Sequence, residues 1–584
     1  MSSRIKEDIP GMSLKGRWYR WTLYTLLAVF AALPLAACGD GGTQAQNPNP
    51  TPNPAYQRVP YDVGLPPEAK NAPKVGDLPG DTMLNLNITF KTDDKVLEQL
   101  GGDKAKDGEE IDLSKKANEI GITDQEYEQL KQFFGVDDAK LELGKLHTNL
   151  KMQAKAAAVA NLLQTKFVYK ELKGRKFFAP EKDPMVPKFV SDKIVAITGL
   201  ESYSKAPKQS ATFQPLTPKS TKVADCNVPS SKLLVPEQVK AAYGFDPKWT
   251  GKGTIIYLPE FELYDKAGVQ NYLDCVGYKG KFSTIDVGQP PTEVGLEATL
   301  DIEMAAGLAP EADIVVYQTE NSGYAMENVF QQIIEDAAKT NKQPQMLSLS
   351  WGLAETNASR SQAKAIAQQI KLLSTTHHMS VFVASGDCGA FDGGVYGNLE
   401  VDFPASTPYA LGVGGTQLTV DGKGQRMNEV VWGNPSPDKA ECKNDWGSGG
   451  GVSTVFEQPS WQKGDGVQNK YSNGGRQLPD IAAVADMLAV YYEGQWGGIG
   501  GTSAATPIWA AAFATVNQAL VANTGYFFFG PRTFYAVAGD NAYHDVVEGD
   551  NQYYEAAQGW DYGTGMGTPD LEKLYTALEK QAKS

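Results

Sequence analysis

Met379-Ser-Val-Phe-Val-Ala-Ser-Gly-Asp-Cys-Gly389 is an apolar strand that stops in a tight glycine turn, leaving Asp387 at the strand's carboxyl end. Three more short runs share its character: Thr254-Ile-Ile-Tyr-Leu258, Asp313-Ile-Val-Val-Tyr317 and Met346-Leu-Ser-Leu-Ser350. Helical patterns lie between them over Glu297–Leu308, Val329–Lys339 and Ser361–Leu373. Strand alternating with helix predicts an α/β fold, a doubly wound and mostly parallel sheet with helices on both faces. Such sheets place their sites at the carboxyl ends of the strands.

This pattern fills residues 226–584, and what precedes it is organised differently. Lys15, Arg17 and Arg20 lead into an apolar run from Thr22 to Ala37 that is short for a membrane span. The run ends Leu35-Ala36-Ala37-Cys38, which resembles a bacterial lipoprotein signal over residues 1–38 with Cys38 as the acylated residue. A plain signal peptide or a signal anchor is the alternative. Residues 39–74 form a tether rich in Pro and Asn. Residues 75–205 read as a small α+β domain. Met83–Phe90 alternates like a half-buried strand, Thr123-Asp-Gln-Glu126 is a capping box that opens a helix, and Ala154–Leu163 is a second helix. Residues 206–225, rich in Ser, Thr, Pro and Lys, read as an exposed linker where proteolytic release would occur.

The 584 residues leave room for two or three domains, and a net charge of −15 offers no basic excess for nucleic acid. Of the five cysteines, four remain if Cys38 carries lipid: Cys226, Cys275, Cys388 and Cys442. An exported chain could join them as two disulfides, and 226–275 with 388–442 is one of three pairings.

The chemistry gathers at three places. Gly500-Gly-Thr-Ser-Ala-Ala-Thr-Pro507 delivers Ser503 to the start of a helix, beside free N–H groups and a positive dipole end that would favour an oxyanion. An N-cap serine is the ordinary alternative. A serine nucleophile needs a base, and none of the four histidines lies in a Gly-rich helix start. Glu297 and Asp301 supply carboxyl groups one helical turn apart, close enough to share a proton. Glu303 lies on another face and is structural. Asp387, in its glycine turn, could stay protonated and donate to an oxyanion; an Asx turn is the plainer reading.

Glu-x-x-x-Asp, Ser-Gly-Asp-x-Gly and Gly-Thr-Ser-x-x-x-Pro, in that order, resemble the sedolisin (serine-carboxyl peptidase) family, of the kumamolisin type. Leu349-Ser-Trp-Gly352, Val401-Asp-Phe-Pro-Ala-Ser406, Gly449-Gly-Gly-Val-Ser453 and Pro459-Ser-Trp-Gln462 add to the likeness, as does a family-type prodomain. The resemblance implies a subtilisin-like fold preceded by an activation prodomain, residues 75–205, that inhibits the peptidase intramolecularly until it processes itself. It implies an acid endopeptidase acting on proteins or peptides, with Ser503 attacking, Glu297 as base, Asp301 tuning Glu297 and a protonated Asp387 stabilising the oxyanion. Ser350, Trp351, Gly352 and Gly450 would line the substrate, and Asp402 would face a pocket for a basic side chain. One calcium ion would sit on Asp545, Val546, Ala557, Gly559 and Asp561, with His544 as a neighbour.

Some relatives carry a further glutamate in the strand matching Thr254–Leu258. We place Tyr257 at that position, a departure that bears on the pH optimum. Two other functions are alternatives. A Ser-His-Asp triad would need a histidine near residue 297, where there is none. A lipid-anchored binding scaffold would be expected to have lost Ser503, Glu297 or Asp387, and all three are present. The expected location is the cell envelope or its exterior.

Overall fold

The computed structural model describes residues 57–136, 138–207, 212–219, 226, 228, 233–340, 342–393, 397–433 and 446–584. Cys38, the apolar leader, most of the tether, Cys442 and much of the linker lie outside the described residues.

The N-terminal region has its own sheet and core. Strands β1 (Met83–Phe90), β2 (Lys140–Leu143), β3 (Asn149–Lys155) and β4 (Ile194–Thr198) pair antiparallel in the order β4-β1-β3-β2. Helix α1 (Asp124–Phe134) opens with the expected capping box: Thr123 N donates to Glu126 Oε2 at 2.8 Å and Glu126 N to Thr123 Oγ1 at 3.3 Å. Leu130 and Phe134 of α1 pack on Leu84, Leu86, Ile88 and Phe90. One expectation shifts, because residues 154 and 155 end β3 and the helix there is Ala156–Leu162. A second concerns the linker, whose residues Thr212–Pro215 form a strand, β5.

The large sheet that follows is mostly parallel. Its strands are β6 (Ile255–Glu260), β7 (Phe282–Asp286), β8 (Asp313–Gln318), β9 (Gln345–Leu349), β10 (Met379–Ala384), β11 (Leu411–Val420), β12 (Arg426–Val431) and β13 (Ile481–Val484). The order is β7-β8-β6-β9-β10-β11-β12, with β13 parallel to β11 and only β12 antiparallel. Helices α2 (Glu297–Leu308), α3 (Ala325–Asp336) and α4 (Arg360–Thr375) connect the strands, and α5 (Thr502–Thr524) crosses behind them.

Strand residues alternate between two cores, as a pleat of period two requires. Ile256, Leu258, Met346 and Phe382 pack with α2 and α5. Tyr257, Leu347, Val381 and Val383 pack with α3 and α4. This settles Tyr257: it faces the second core, and its hydroxyl donates to Gln345 Oε1 at 3.1 Å. It cannot join carboxyl groups on α2.

Cys226 and Cys275 are joined as a disulfide. Cys388 is also disulfide-bonded.

Candidate active site

All twelve residues of α2 are buried, so Glu297 and Asp301 sit in the protein interior. Glu262 caps the helix from outside: its Oε1 accepts from the Glu297 and Ala298 amides at 2.7 and 3.3 Å. Gly295 must be glycine to let that carboxyl in, since a Cβ there would fall 1.9 Å from it.

Ser503 is the second residue of α5 and only 2% exposed. The chain reaches it through Gly501 at φ +138°, where a Cβ would lie 2.9 Å from Asp387 Oδ2. Pro507 has no N–H to bond the Ser503 carbonyl one turn earlier. Ser350 Oγ fills that place, 3.1 Å from Ser503 O and 2.9 Å from Asp301 Oδ1, with its one proton shared between them. The Ser503 hydroxyl points to the Ser350 carbonyl at 3.3 Å and lies beside the Glu297 carboxyl.

The pleat then brings in a residue that sequence reasoning missed, having set Tyr257 in its place. Glu260, two residues beyond Leu258 on the same face of β6, is fully buried and accepts from Trp351 Nε1 at 2.9 Å. Its carboxyl lies beside that of Asp301, and each acid keeps one buried oxygen, Glu260 Oε1 and Asp301 Oδ2, with no partner among the described residues. Glu260, not Tyr257, is therefore the acid that extends the pair, and Trp351 holds it. Two buried carboxyl groups this close favour sharing one proton over ionising together.

Burial governs the electrostatics of this chain of acids. It raises Glu297 and Asp301 well above the ordinary carboxylate range; the Ser503 hydroxyl partly offsets this for Glu297, and the neighbouring carboxyls push both further up. Glu260 is raised to about 8, again chiefly by burial. An isolated ionised carboxylate is costly in such a place, so the cluster keeps protons and ionises in steps.

Asp387 stands opposite. Thr502 N and Thr502 Oγ1 both donate to its Oδ1 at 2.7 Å, which leaves Oδ2 buried with no partner among the described residues. Burial raises its pKa as well, and the Thr502 bonds hold it down in part.

The glycines Gly449 and Gly450 are packed by this turn. Gly449 N donates to Gly386 O at 2.8 Å, and a Cβ on Gly449 or Gly450 would fall 1.9 Å from a backbone oxygen. Gly352 lies against Asp402, where a Cβ would meet Oδ1 at 2.1 Å. Asp402 is itself paired with Asp392, a residue with no sequence signal beyond its acidity; burial raises Asp392 to about 7 and Asp402 well above the usual range. Glu303, as expected, is structural: its Oε2 accepts from Tyr491 N at 2.8 Å. The histidines are engaged elsewhere, His377 with the Leu372 and Ile334 carbonyls and His378 with the Leu100 carbonyl.

Near the C-terminus, Asp545 Oδ2 accepts from Gly559 N and Asp561 Oδ2 from Ala557 N, both at 2.9 Å. Asp545 Oδ1 is buried without a partner among the described residues, and Val546 is buried beside it. Burial raises Asp561 to about 6. Two inward carboxylates on a loop rich in backbone oxygens fit a hard cation.

A model of the Subtilase family matches residues 286–567. Kumamolisin of Bacillus sp. (strain MN-32) is 34% identical over 364 residues, 59% of this chain and 63% of that protein. Sedolisin of Pseudomonas sp. (strain 101) is 29% identical over 274 residues, 44% of each chain. The chain thus spans less than two thirds of the length of either relative. Among solved structures, Pseudomonas sedolisin (serine-carboxyl proteinase) complexed with two molecules of pseudo-iodotyrostatin matches with a TM-score of 0.53 and 25% identity, covering 60% of this chain and all of that one. A subtilisin-like core and relatives of the kumamolisin and sedolisin kind are consistent with a protein of the sedolisin family.

Proposed function

We propose that the chain is the precursor of an exported acid endopeptidase, anchored by lipid at Cys38 and released from its own N-terminal domain by self-processing. The observation that carries the reading is a helix-start serine set among buried carboxyl groups that retain protons. Ser503 Oγ attacks the peptide carbonyl carbon and its proton passes to Glu297. The carbonyl oxygen becomes an oxyanion that receives a hydrogen bond from protonated Asp387 Oδ2. Glu297 returns the proton to the leaving amine, and water hydrolyses the acyl-serine by the same steps in reverse. Asp301 and Glu260 share a proton and tune Glu297. Trp351, Gly352 and Gly450 border the acyl side of the substrate, and the Asp392–Asp402 pair would favour a basic side chain there once it ionises.

A calcium ion would be held by the Asp545 and Asp561 carboxylates with carbonyl oxygens of Val546, Ala557 and Gly559. It would supply positive charge that offsets the burial of Asp561 and holds the two loops together.

The N-terminal domain is the inhibitor in this reading. Thr198 Oγ1 donates to Glu327 Oε1 at 2.8 Å, and Asn87 Nδ2 bonds the same oxygen from the neighbouring strand. Burial raises Glu327 to about 7. A carboxyl raised above its ordinary value weakens the docked state above that pH and ceases to do so as acid protonates it. Acid therefore strengthens this contact. Release in acid thus does not run through this carboxyl. Glu327→Gln is expected to raise the precursor's thermal midpoint at about pH 8 and leave it unchanged near pH 4. Thermal denaturation at both pH values checks this, and an unchanged or lower midpoint at the higher pH refutes it.

The reading as a whole is tested by cleavage of a denatured protein across roughly pH 3 to 8, comparing the acid-incubated chain with Ser503→Ala. Acid-side activity that vanishes in the variant supports it. An optimum above neutrality, or activity in the variant, overturns it.

A further inference from the structure

The linker strand β5 lies antiparallel on a strand that leads into the catalytic helix. Strands β14 (Leu488–Tyr492) and β15 (Gln495–Gly500) form a hairpin, and β5 takes the outer edge of β15. The register sets Thr212 against Gly500, Phe213 against Ile499, Gln214 against Gly498 and Pro215 against Gly497. Strand β15 runs toward Ser503, so its antiparallel partner runs away from it, with Thr212 nearest the serine and Pro215 farthest. Residues that recede from the nucleophile as their numbers rise follow the path of a substrate C-terminal to the scissile bond, the leaving-group side.

The seat has a shape as well as a direction. A Cβ on Gly497 would fall 2.4 Å from the Phe213 ring and 2.6 Å from the Gln214 carbonyl oxygen. The Phe213 ring stands edge-on to Tyr492 with centroids 5.6 Å apart. Beyond β5 the chain stays on the hairpin: Leu216 N donates to Trp496 O and Trp496 N to Thr217 Oγ1, each at 2.9 Å, and Lys219 pairs with Glu493 at 2.6 Å.

We propose that the outer edge of Gln495–Gly500 is the leaving-group-side peptide seat of this active site, that it takes an aromatic side chain over Gly497 against Tyr492, and that Thr212–Pro215 fills it in the precursor. The proposal rests on the peptidase reading. Main-chain pairing along a strand edge binds any extended peptide, and the aromatic pocket supplies selectivity. Filling the seat with the chain's own strand also covers an otherwise open edge beside the active site.

The probes are acetyl-Thr-Phe-Gln-Pro-Leu-amide and its counterpart with Ala for Phe, used as inhibitors of the acid-incubated full chain. The Phe peptide is expected to inhibit about five- to tenfold more tightly, the range of one aromatic pair. Tyr492→Ala should bring that ratio to about one and leave the Ala peptide's inhibition constant unchanged. Gly497 lies outside the left-handed region, so Gly497→Ala suits the backbone and should weaken both peptides by crowding the strand. Equal potency of the two peptides on the unaltered chain, or a ratio that survives Tyr492→Ala, overturns the proposal. If the chain cleaves nothing, the same peptides are compared by calorimetric titration: a ratio there upholds the seat and counts against the peptidase reading alone, and no ratio overturns the seat.

Discussion

On the proposed mechanism, Glu297→Gln is expected to lower peptide-bond cleavage by roughly 10³-fold at the optimum while the protein stays folded. The glutamine matches the glutamate in size but cannot take the Ser503 proton, so only transition-state binding remains. Loss of fold is not the expected cause, because the native residue is fully buried and raised well above its ordinary pKa, and a neutral amide removes the cost of charging it. The thermal midpoint of the variant should equal or exceed that of the unaltered chain.

Glu260→Gln provides the contrast. Trp351 Nε1 still finds an oxygen acceptor, but the proton shared with Asp301 is gone. The expected loss at the optimum is only about tenfold, with the acid limb of the pH profile displaced. The acid limb reports ionisation of the cluster, which must lose a proton before Glu297 can act as base. Removing one carboxyl takes away like-charge repulsion, lowers the apparent pKa of the rest and moves that limb to lower pH. Steady-state rates across the acid range measure both variants. A Glu297→Gln enzyme within about tenfold of the unaltered one would mean that another group is the base.

The sequence made the parallel sheet legible because its strands are short apolar runs with helices between them. Glu297–Leu308 matched the observed helix residue for residue, since nothing polar except its three acids and one threonine interrupts it. The acids were harder to place. At the end of β6, in Leu258-Pro-Glu-Phe-Glu262, a buried carboxyl and a solvated turn carboxyl look alike. Carrying the pleat two residues past Leu258 would have put Glu260 on the α2 face and Tyr257 on the other. Asp392 had no comparable signal, because its partner Asp402 meets it only through the folded turn. The strand Thr212–Pro215 was hidden for another reason: its partner lies nearly three hundred residues away, and its Ser-, Thr- and Pro-rich surroundings resemble an exposed linker.

Asp387 gives the second large effect, and two substitutions there separate its two possible roles. Asp387→Ala removes the Oδ2 donor and leaves Thr502 N and Thr502 Oγ1 without their acceptor. The expected loss is about 10²–10³-fold, the magnitude for one oxyanion donor. Asp387→Asn behaves differently because the site already fixes which oxygen accepts. Both Thr502 groups donate to Oδ1, so an asparagine keeps its carbonyl oxygen there and turns its amide toward the position of Oδ2. That amide is a permanent donor. The native carboxyl donates only while protonated; burial raises its pKa, and activity falls as pH climbs through it. The asparagine enzyme is therefore slower than the native one, by about tenfold rather than 10²–10³-fold, and lacks the alkaline limb that Asp387 imposes. Rate profiles of the three proteins from acid to neutral pH decide the matter. An asparagine variant as impaired as the alanine one, or one that keeps the native alkaline limb, would show that Asp387 acts through its charge or its placement of Thr502 and not as the proton donor to the oxyanion.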